Sequence, residues 1–391
     1  MKIYRYKLYD KAKRGYLDRT ITRFGEVRNY AVKMTEYYYK YFGKTLTAYQ
    51  LSNHIAKKKR KECATARLVE GLDAQGVQEC LGRVYKGFRA YFANIKKKRN
   101  GEIVRHKRVR KPHERKPWKN RSFTLLQCGY KFDEDCNKIR IRGVWYGFFK
   151  SQELKGKVKR VTIKRDWCGD LWISVLTAWN EPMEGSRTGE AAGFDFGLKT
   201  FLTGSDGYDI ISPQFLKKNK KELAKAQCKL SRKVKGSGHR RQARRTVAKM
   251  HRRIDNCRND WQWKTAKELV RRYDVIFLET LNIAGMQRHR NWGRKVSDLA
   301  YSSFLSKLEY LASKYGKRVV YIDRWAATSQ ICHKCGEKSS HTKDLNIREW
   351  VCPHCGARLD RDRNAAINIL RVGMSTLGRD EVRRLSAREA A

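Results

Sequence analysis

Four cysteines stand as two pairs, Cys332-x2-Cys335 and Cys352-x2-Cys355, with 16 residues between the pairs. Each pair is followed by a glycine, Gly336 or Gly356, that allows a tight turn, so the spacing brings four thiolates to the corners of a tetrahedron. That is the donor set of structural zinc. With every corner taken by the protein, such a site organises structure and leaves no position for a substrate. A redox dithiol needs a single CxxC in a thioredoxin-like setting, which this sequence lacks. His333 and His354 lie inside the knuckles, and a Cys/His ligand exchange is the less favoured arrangement.

A second group of residues is acidic in a basic region. Asp195 sits inside the apolar run Gly193-Phe194-Asp195-Phe196-Gly197, and Glu279 ends the run YDVIFL at 273–278. A charge in either place is costly without a counter-ion. Asp362, with Asp360 two residues before it, precedes Asn364-Ala365-Ala366-Ile367-Asn368-Ile369-Leu370, which reads as a helix starting near Arg363. Three carboxylates gathered at two strand ends and a helix N-terminus would hold two magnesium ions against a phosphodiester, activating a water and stabilising the leaving 3′ oxygen. Taken singly, each has a blander reading: a helix N-cap for Asp362, an ion pair with Lys or Arg for the other two. Their order on strand, strand and helix favours the metal. Asp323, after the run 319–322, is a weaker candidate, expected to form an ion pair or support the others; His251, His289 and His341 have no partner pattern.

The chain carries 89 Lys plus Arg against 39 Asp plus Glu, a formal charge of +50 spread over both halves. Self-repulsion of that size calls for a polyanion, and nucleic acid is the commonest. An acidic membrane surface is the competitor. No 18-residue apolar run is present and the N-terminus MKIYRYKLYD lacks an apolar signal core, so the expected location is cytoplasmic, nucleoid-associated in a prokaryote. At 40% hydrophobic and 11% aromatic with 5 Pro, the composition excludes global disorder. The 11 cysteines are an odd number, which in a reducing compartment points to metal rather than disulfides.

The elements that must position these groups follow from periodicity. Ile3, Tyr4, Tyr6 and Leu8 among basic residues predict a short strand over 2–9. Ile21, Phe24, Val27, Tyr30, Ala31, Met34 and Tyr38 predict a helix capped by Asp18 or Thr20 and ending near Gly43. A second helix starts near Thr47 and runs into the basic block 57–61; a third covers 74–95 with Val77, Leu81, Val84, Tyr85, Phe88, Tyr91 and Phe92 on one face. After Asn100-Gly101, alternating runs at 122–126, 138–141, 159–163 and 171–176 predict a small antiparallel barrel or sandwich. The first strand can join that sheet, which makes the helices an insertion. Residues 181–190 read as a linker. Beyond them come a hairpin turning at Ser205-Asp206-Gly207, a basic helical hairpin over 217–272 broken at 235–238, a buried strand at 273–278, a helix over 297–315 and a strand at 319–322.

The runs 230–237, Arg252-Arg253-Ile254, 256–260, 273–282 with Gly285-Met286, Thr328-Ser329-Gln330-x-Cys332-x2-Cys335-Gly336 and Asp360-Arg361-Asp362-Arg363-Asn364-Ala365-Ala366-x-Asn368-Ile369 resemble TnpB. This is a family of transposon-encoded, RNA-guided DNA endonucleases related to compact type V CRISPR effectors. The resemblance covers most of 185–372. It implies a multidomain α/β protein with an added β-barrel: a RuvC-like RNase H fold whose zinc ribbon is inserted before the last catalytic Asp. Its acidic triad falls on Asp195, Glu279 and Asp362, the last preferred over Asp360 because the family's third Asp lies two residues before the Asn of its Asn-Ala-Ala run. The implied segments are a first barrel strand (1–15), a helical recognition domain (16–100), the rest of the barrel (101–184), the nuclease domain (185–331), the ribbon (332–356), a final nuclease segment (357–372) and a mobile tail (373–391). The implied cofactors are two catalytic Mg2+ and one structural Zn2+ on Cys332, Cys335, Cys352 and Cys355. The implied partners are a guide RNA and target double-stranded DNA beside a short motif, with one protomer per RNA and no membrane. Trp261, Trp263 and Thr280 depart from the family's usual residues without removing a metal ligand. Two other functions fit the same carboxylates: a transposase-type strand transferase and a nuclease-inactive RNA-guided DNA-binding protein.

Overall fold

A computed structural model describes residues 1–9, 14–60, 64–101, 109–179, 187–290, 292–339 and 347–377 of the 391-residue chain. The blocks at 58–61 and 102–108, part of the linker, His341 and residues 378–391 therefore fall wholly or partly outside the described side chains or residues. Two compact units emerge, Met1–Glu181 and Pro182–Ala391.

In the first unit, strand β1 (Lys2–Leu8) is followed by helices α1 (Arg14–Phe42), α2 (Ala48–Arg60), α3 (Ala64–Val69) and α4 (Ala74–Arg99). Strands β2 (Ser122–Leu125), β3 (Lys131–Phe132), β4 (Lys138–Ile141), β5 (Val144–Phe149), β6 (Lys157–Arg165) and β7 (Leu171–Ala178) come after them. The seven strands form one sheet in the order β2-β6-β7-β1-β5-β4-β3, with β1 antiparallel to β7 (Tyr4↔Val175) and to β5 (Leu8↔Phe148). The sheet is open, its end strands β2 and β3 being unpaired to each other, where the sequence suggested a barrel or sandwich. Alternation sets its faces: Tyr4, Tyr6 and Leu8 of β1 and Leu171, Ile173 and Val175 of β7 are buried, with their sequence neighbours outside. Leu17, Ile21, Phe24, Val27 and Ala31 recur on one face of α1, and Phe24 stacks on Phe123 of β2 at 5.2 Å between ring centroids. Helix α1 begins at Arg14 rather than at the expected caps Asp18 or Thr20. Thr47 starts α2 by a reciprocal cap: its hydroxyl accepts from the Gln50 N–H at 3.2 Å and its own N–H donates to Gln50 Oε1 at 2.9 Å.

The second unit is built on five strands: β8 (Ala191–Phe196), β9 (Thr200–Gly204), β10 (Ile210–Ile211), β11 (Val275–Glu279) and β12 (Arg318–Ile322). Their order is β10-β9-β8-β11-β12, with β8, β11 and β12 parallel and β9 and β10 added as an antiparallel meander. Between β10 and β11 run α5 (Phe215–Lys218), α6 (Lys220–Ser231) and the 35-residue α7 (Gly238–Arg272), whose N-cap Ser237 accepts from the Arg240 N–H at 3.1 Å. Between β11 and β12 lie α8 (Ile283–Arg288), α9 (Gly293–Leu299) and α10 (Tyr301–Lys314). The single helix expected over 297–315 is broken at Ala300, which adopts a left-handed φ of 48° while Gln262 Nε2 takes the carbonyls of Leu299 (3.0 Å) and Ala300 (3.2 Å). That buried amide satisfies the helix end that the break exposes. A two-stranded ribbon, β13 (Glu349–Val351) and β14 (Arg358–Asp360), precedes the last helix, α11 (Arg361–Thr376). This helix continues through 373–376, with Gly373 and Leu377 buried, where the sequence suggested a tail from 373.

Strand β11 is buried on both faces, as its apolar run requires. Ile276 and Leu278, with Ala192 and Phe194 of β8, pack on α7 and α10. Val275 and Phe277 point the other way and pack with Ile322 and with Ile369 of α11. Two glycines let α11 lie on that face. A Cβ on Gly193 would stand 2.5 Å from the Ala366 carbonyl and the Leu370 nitrogen, and one on Gly373 would strike the Phe277 ring. Only a residue without a side chain admits backbone that close.

Candidate active site and metal centre

Strand pairing fixes two of the three carboxylates. The last paired residues of β8 and β11 are Phe194 and Leu278, so Asp195 and Glu279 are each the next residue at the C-terminal ends of adjacent parallel strands. Side chains alternate along a strand, and Asp195 shares the face of Gly193 while Glu279 shares that of Phe277. Both faces are the one covered by α11. The third carboxylate arrives on that helix. Asp360 is its N-cap, accepting from the Arg363 N–H at 2.7 Å, which leaves Asp362 in the first turn free of capping. The helix thus starts two residues earlier than its periodicity suggests, and the N-cap role falls to Asp360.

The electrostatics report the same gathering. Burial, then the charges of Glu279 and Asp362, push the Asp195 carboxyl well above the ordinary carboxylate range, against the opposing effect of the Phe196 amide and Arg361. Like charges near one another at this half-buried edge are unfavourable without a cation. The group is open rather than a closed cage: among the described residues, only the four cysteines bring three or more ligand atoms within 4.8 Å of one another. Asp323 is exposed and accepts the Trp325 N–H at 2.9 Å.

Two partners of the carboxylates were not legible in the sequence. Arg348, just before β13, places Nη1 at 3.0 and 3.1 Å from the two oxygens of Asp362. Thr328 donates its hydroxyl to Glu279 Oε1. Thr328 lies in the Thr-Ser-Gln-x-Cys run, where it reads as part of the knuckle rather than as a neighbour of a strand end 49 positions earlier.

The cysteines converge as their spacing suggests. All four sulfurs lie within 4.8 Å of one another, with Cys332 Sγ 3.7 Å from Cys355 Sγ and Cys335 Sγ 3.6 Å from Cys352 Sγ. The two knuckles repeat one turn: the Gly336 N–H donates to Cys332 O at 2.8 Å and the Gly356 N–H to Cys352 O at 2.9 Å, both glycines at positive φ. Trp350 and Leu359 cover the buried Cys332 and Cys352. Backbone amides of Cys355 and His354 lower the Cys352 thiol, while hydrogen bonding to the neighbouring sulfurs raises that of Cys335, so the crowded sulfurs share their protons unevenly. His333 instead points to Asn364, its Nδ1 3.0 Å from Oδ1, which leaves four sulfurs as the donor set.

Basic residues are dense on α6 and α7. Arg241, Arg244, Arg245, Lys249 and Arg253 are exposed, whereas Ala266, Leu269 and Val270 at the other end of α7 enter the core. Among the described residues no helix is long and apolar enough to cross a membrane.

Residues 301–369 match a family described as Cas12f1-like, TNB domain, and residues 174–290 match one described as a probable transposase, OrfB_IS605. A putative RNA-guided DNA endonuclease of Streptomyces pristinaespiralis is 32% identical over 301 residues, which span 76% of this chain and 71% of that protein. InsQ, a putative RNA-guided DNA endonuclease of Escherichia coli K12, is 27% identical over 292 residues, 71% of this chain and 72% of its own. A TnpB-like protein of Acanthamoeba polyphaga mimivirus is 27% identical over 281 residues, 66% of this chain and 52% of its own. Among solved structures, a Cas12f1–sgRNA–target DNA complex has a similar fold (TM-score 0.52, 14% identity, 90% of this chain and 82% of that one). So does the mini-RNA-guided endonuclease Cas-phi3 (TM-score 0.56, 10% identity, 95% and 92%).

Proposed function

Because this chain belongs to the TnpB family of RNA-guided DNA endonucleases, we propose that it cuts target DNA at Asp195, Glu279 and Asp362 under the direction of a guide RNA. One observation carries this assignment: Asp195 and Glu279 stand at the C-terminal ends of two adjacent parallel strands, and Asp362 stands in the first turn of the helix packed on the same face. The order β10-β9-β8-β11-β12, with the ribbon inserted before α11, supports reading this unit as a RuvC-like RNase H fold.

The carboxylate donors, open arrangement and mutual repulsion fit hard cations, and Asp195, Glu279 and Asp362 would hold two Mg2+. When bound, the pair supplies Lewis-acid polarisation of the phosphate, a more acidic water and charge neutralisation at the leaving oxygen. The protein's own contributions are readable. Asp195 would give up its proton when cations bind, Thr328 donates to and so would orient Glu279, and Arg348 holds Asp362 through both carboxylate oxygens. The four-sulfur cluster fits tetrahedral Zn2+ in a structural role, since every donor is protein. Exposed cations on α6 and α7 suit phosphate contacts that position without reading sequence. The Met1–Glu181 unit would hold guide RNA and heteroduplex, one protomer per RNA, in the cytoplasm or at the nucleoid.

The test is Asp195→Asn in the guide-loaded protein. Cleavage of target duplex should disappear while RNA and target binding persist; simultaneous loss of binding would show that Asp195 is structural. Strand transfer by RNA-free protein would instead support the transposase reading that one family description carries.

A further inference from the structure

Glu279 and the four-cysteine cluster are joined by the segment 328–333, and that segment is fastened to α11. The Thr328 hydroxyl donates to Glu279 Oε1, while the Thr328 carbonyl accepts from Asn368 Nδ2 at 2.8 Å and Asn364 Nδ2 at 3.4 Å. The Ile331 carbonyl accepts from the same two amides at 2.6 and 2.8 Å. Asn364 Oδ1 in turn accepts the His333 N–H at 2.9 Å. Thr328, Asn364 and Asn368 are at most 4% exposed, so their polar groups depend on these partners rather than on solvent. Asn364 and Asn368 are four residues apart, on one face of the helix that carries Asp362 in its first turn.

A glutamate has three torsions to freeze before it can serve as a ligand, and a partner that fixes one oxygen reduces that cost while leaving the other oxygen open. We infer that Thr328 is a positioning residue for Glu279, and that Asn364 and Asn368 make its hold depend on the seating of the zinc knuckle against α11. The knuckle then sets the geometry of a carboxylate it does not touch. This rests on the reading of Glu279 as a ligand for the catalytic cations.

The experiment titrates Mn2+ into guide-loaded protein by electron paramagnetic resonance, with Glu279→Gln as the baseline for ions held by RNA, and follows cleavage against Mg2+ concentration. Thr328→Ser keeps the hydroxyl and should stay within about twofold of the parent, whereas Thr328→Val should need about tenfold more cation for both binding and cleavage. Recovery of Thr328→Val at saturating Mg2+ would exclude misfolding. Asn368→Leu should weaken Mn2+ binding in the same direction. Parent-like affinity in Thr328→Val, or equal loss in Thr328→Ser, would overturn the hydroxyl's role; parent-like affinity in Asn368→Leu would overturn the dependence on the knuckle. Normal cation binding and cleavage by Glu279→Gln would refute the ligand assignment itself, and this inference with it.

Discussion

Gly193→Ala adds one methyl group two residues before Asp195 and should separate the nuclease reaction from everything else the protein does. The new Cβ would stand 2.5 Å from the Ala366 carbonyl oxygen and the Leu370 nitrogen, whereas ordinary contact begins near 3.4 Å. Both obstacles are backbone, so neither can swing aside, and α11 must retreat from β8 by nearly 1 Å or tilt. Asp362 rides on the first turn of that helix and must move with it. Overpacking of this kind costs about 1–3 kcal/mol, or roughly 2–12 °C in melting temperature for a unit of this size. A displacement of about 1 Å at a reacting group can cost about 100-fold in rate. The assay is single-turnover cleavage by guide-loaded protein, with target binding and thermal melting measured in parallel. The expected result is a rate lower by about two orders of magnitude, intact target binding and a modest drop in melting temperature. Gly238→Ala, at the start of α7, meets nothing within 4 Å and serves as the control that changes none of these. Parent-like cleavage and melting by Gly193→Ala would show that α11 does not lie on β8 as described, and would remove the basis for placing Asp362 beside Asp195.

Two further predictions concern charge. Asp274 and Lys317 form a buried ion pair beneath β11 and β12, their side chains 4% and 3% exposed, and Asp274 also accepts the backbone N–H groups of Thr188 and Gly189. Burial opposes its charge, but Lys317 and these amides win and lower its pKa; Asp274→Ala would take this carboxylate from a buried ammonium and should cost about 3–5 kcal/mol by denaturant unfolding, with Asp274→Asn milder. Asp195 has the opposite shift, raised by burial and by Glu279 and Asp362. Without Mg2+ the folded protein keeps a proton that the unfolded chain releases, so this group should make melting temperature fall as pH rises from the ordinary Asp value through the raised one. Over the same window cation affinity should climb, because binding needs the carboxylate. Melting curves of parent and Asp195→Asn without Mg2+ across that pH range test the first sign, and Mg2+ titrations at the same pH values test the second: a parent slope no different from that of the variant would contradict the shift.

The ribbon shows where local spacing suffices. Two CxxCG units specify their own turns, and the short intervening chain brings the pairs together, so the four sulfurs that converge could be named before any fold was known. The helices of the first unit were similarly open to reading, since Leu17, Ile21 and Phe24 carry a period of 3.6 whatever they pack against. Ends and closure were not. Arg14 rather than Asp18 begins α1, a single residue at Ala300 divides α9 from α10 because Gln262 of α7 captures the carbonyls there, and the antiparallel strands stop short of a barrel. Each depends on a partner distant in sequence, which periodicity does not sense.

For the carboxylates the division is similar. An isolated acid in an apolar run marks Asp195 and Glu279 from sequence, because burying a charge is costly and demands a reason. Whether the reason is shared depends on strand register and on how close α11 can come, and these were decided by β8 pairing with β11 and by the bare faces of Gly193 and Gly373. The choice of Asp362 over Asp360 rests in the fold on capping, since a side chain that accepts its own helix's N–H is already committed. Thr328 carries no charge and no distinctive spacing to Glu279, and nothing in the Asn-Ala-Ala run ties Asn364 or Asn368 to it; their contacts arise because folding brings strand end, knuckle and helix into one hydrogen-bonded cluster. The amino-acid sequence therefore determined which groups are expensive to place. Tertiary structure decided which of them are placed together, because electrostatic repulsion and hydrogen bonding act over a few ångströms in space and are indifferent to separation along the chain.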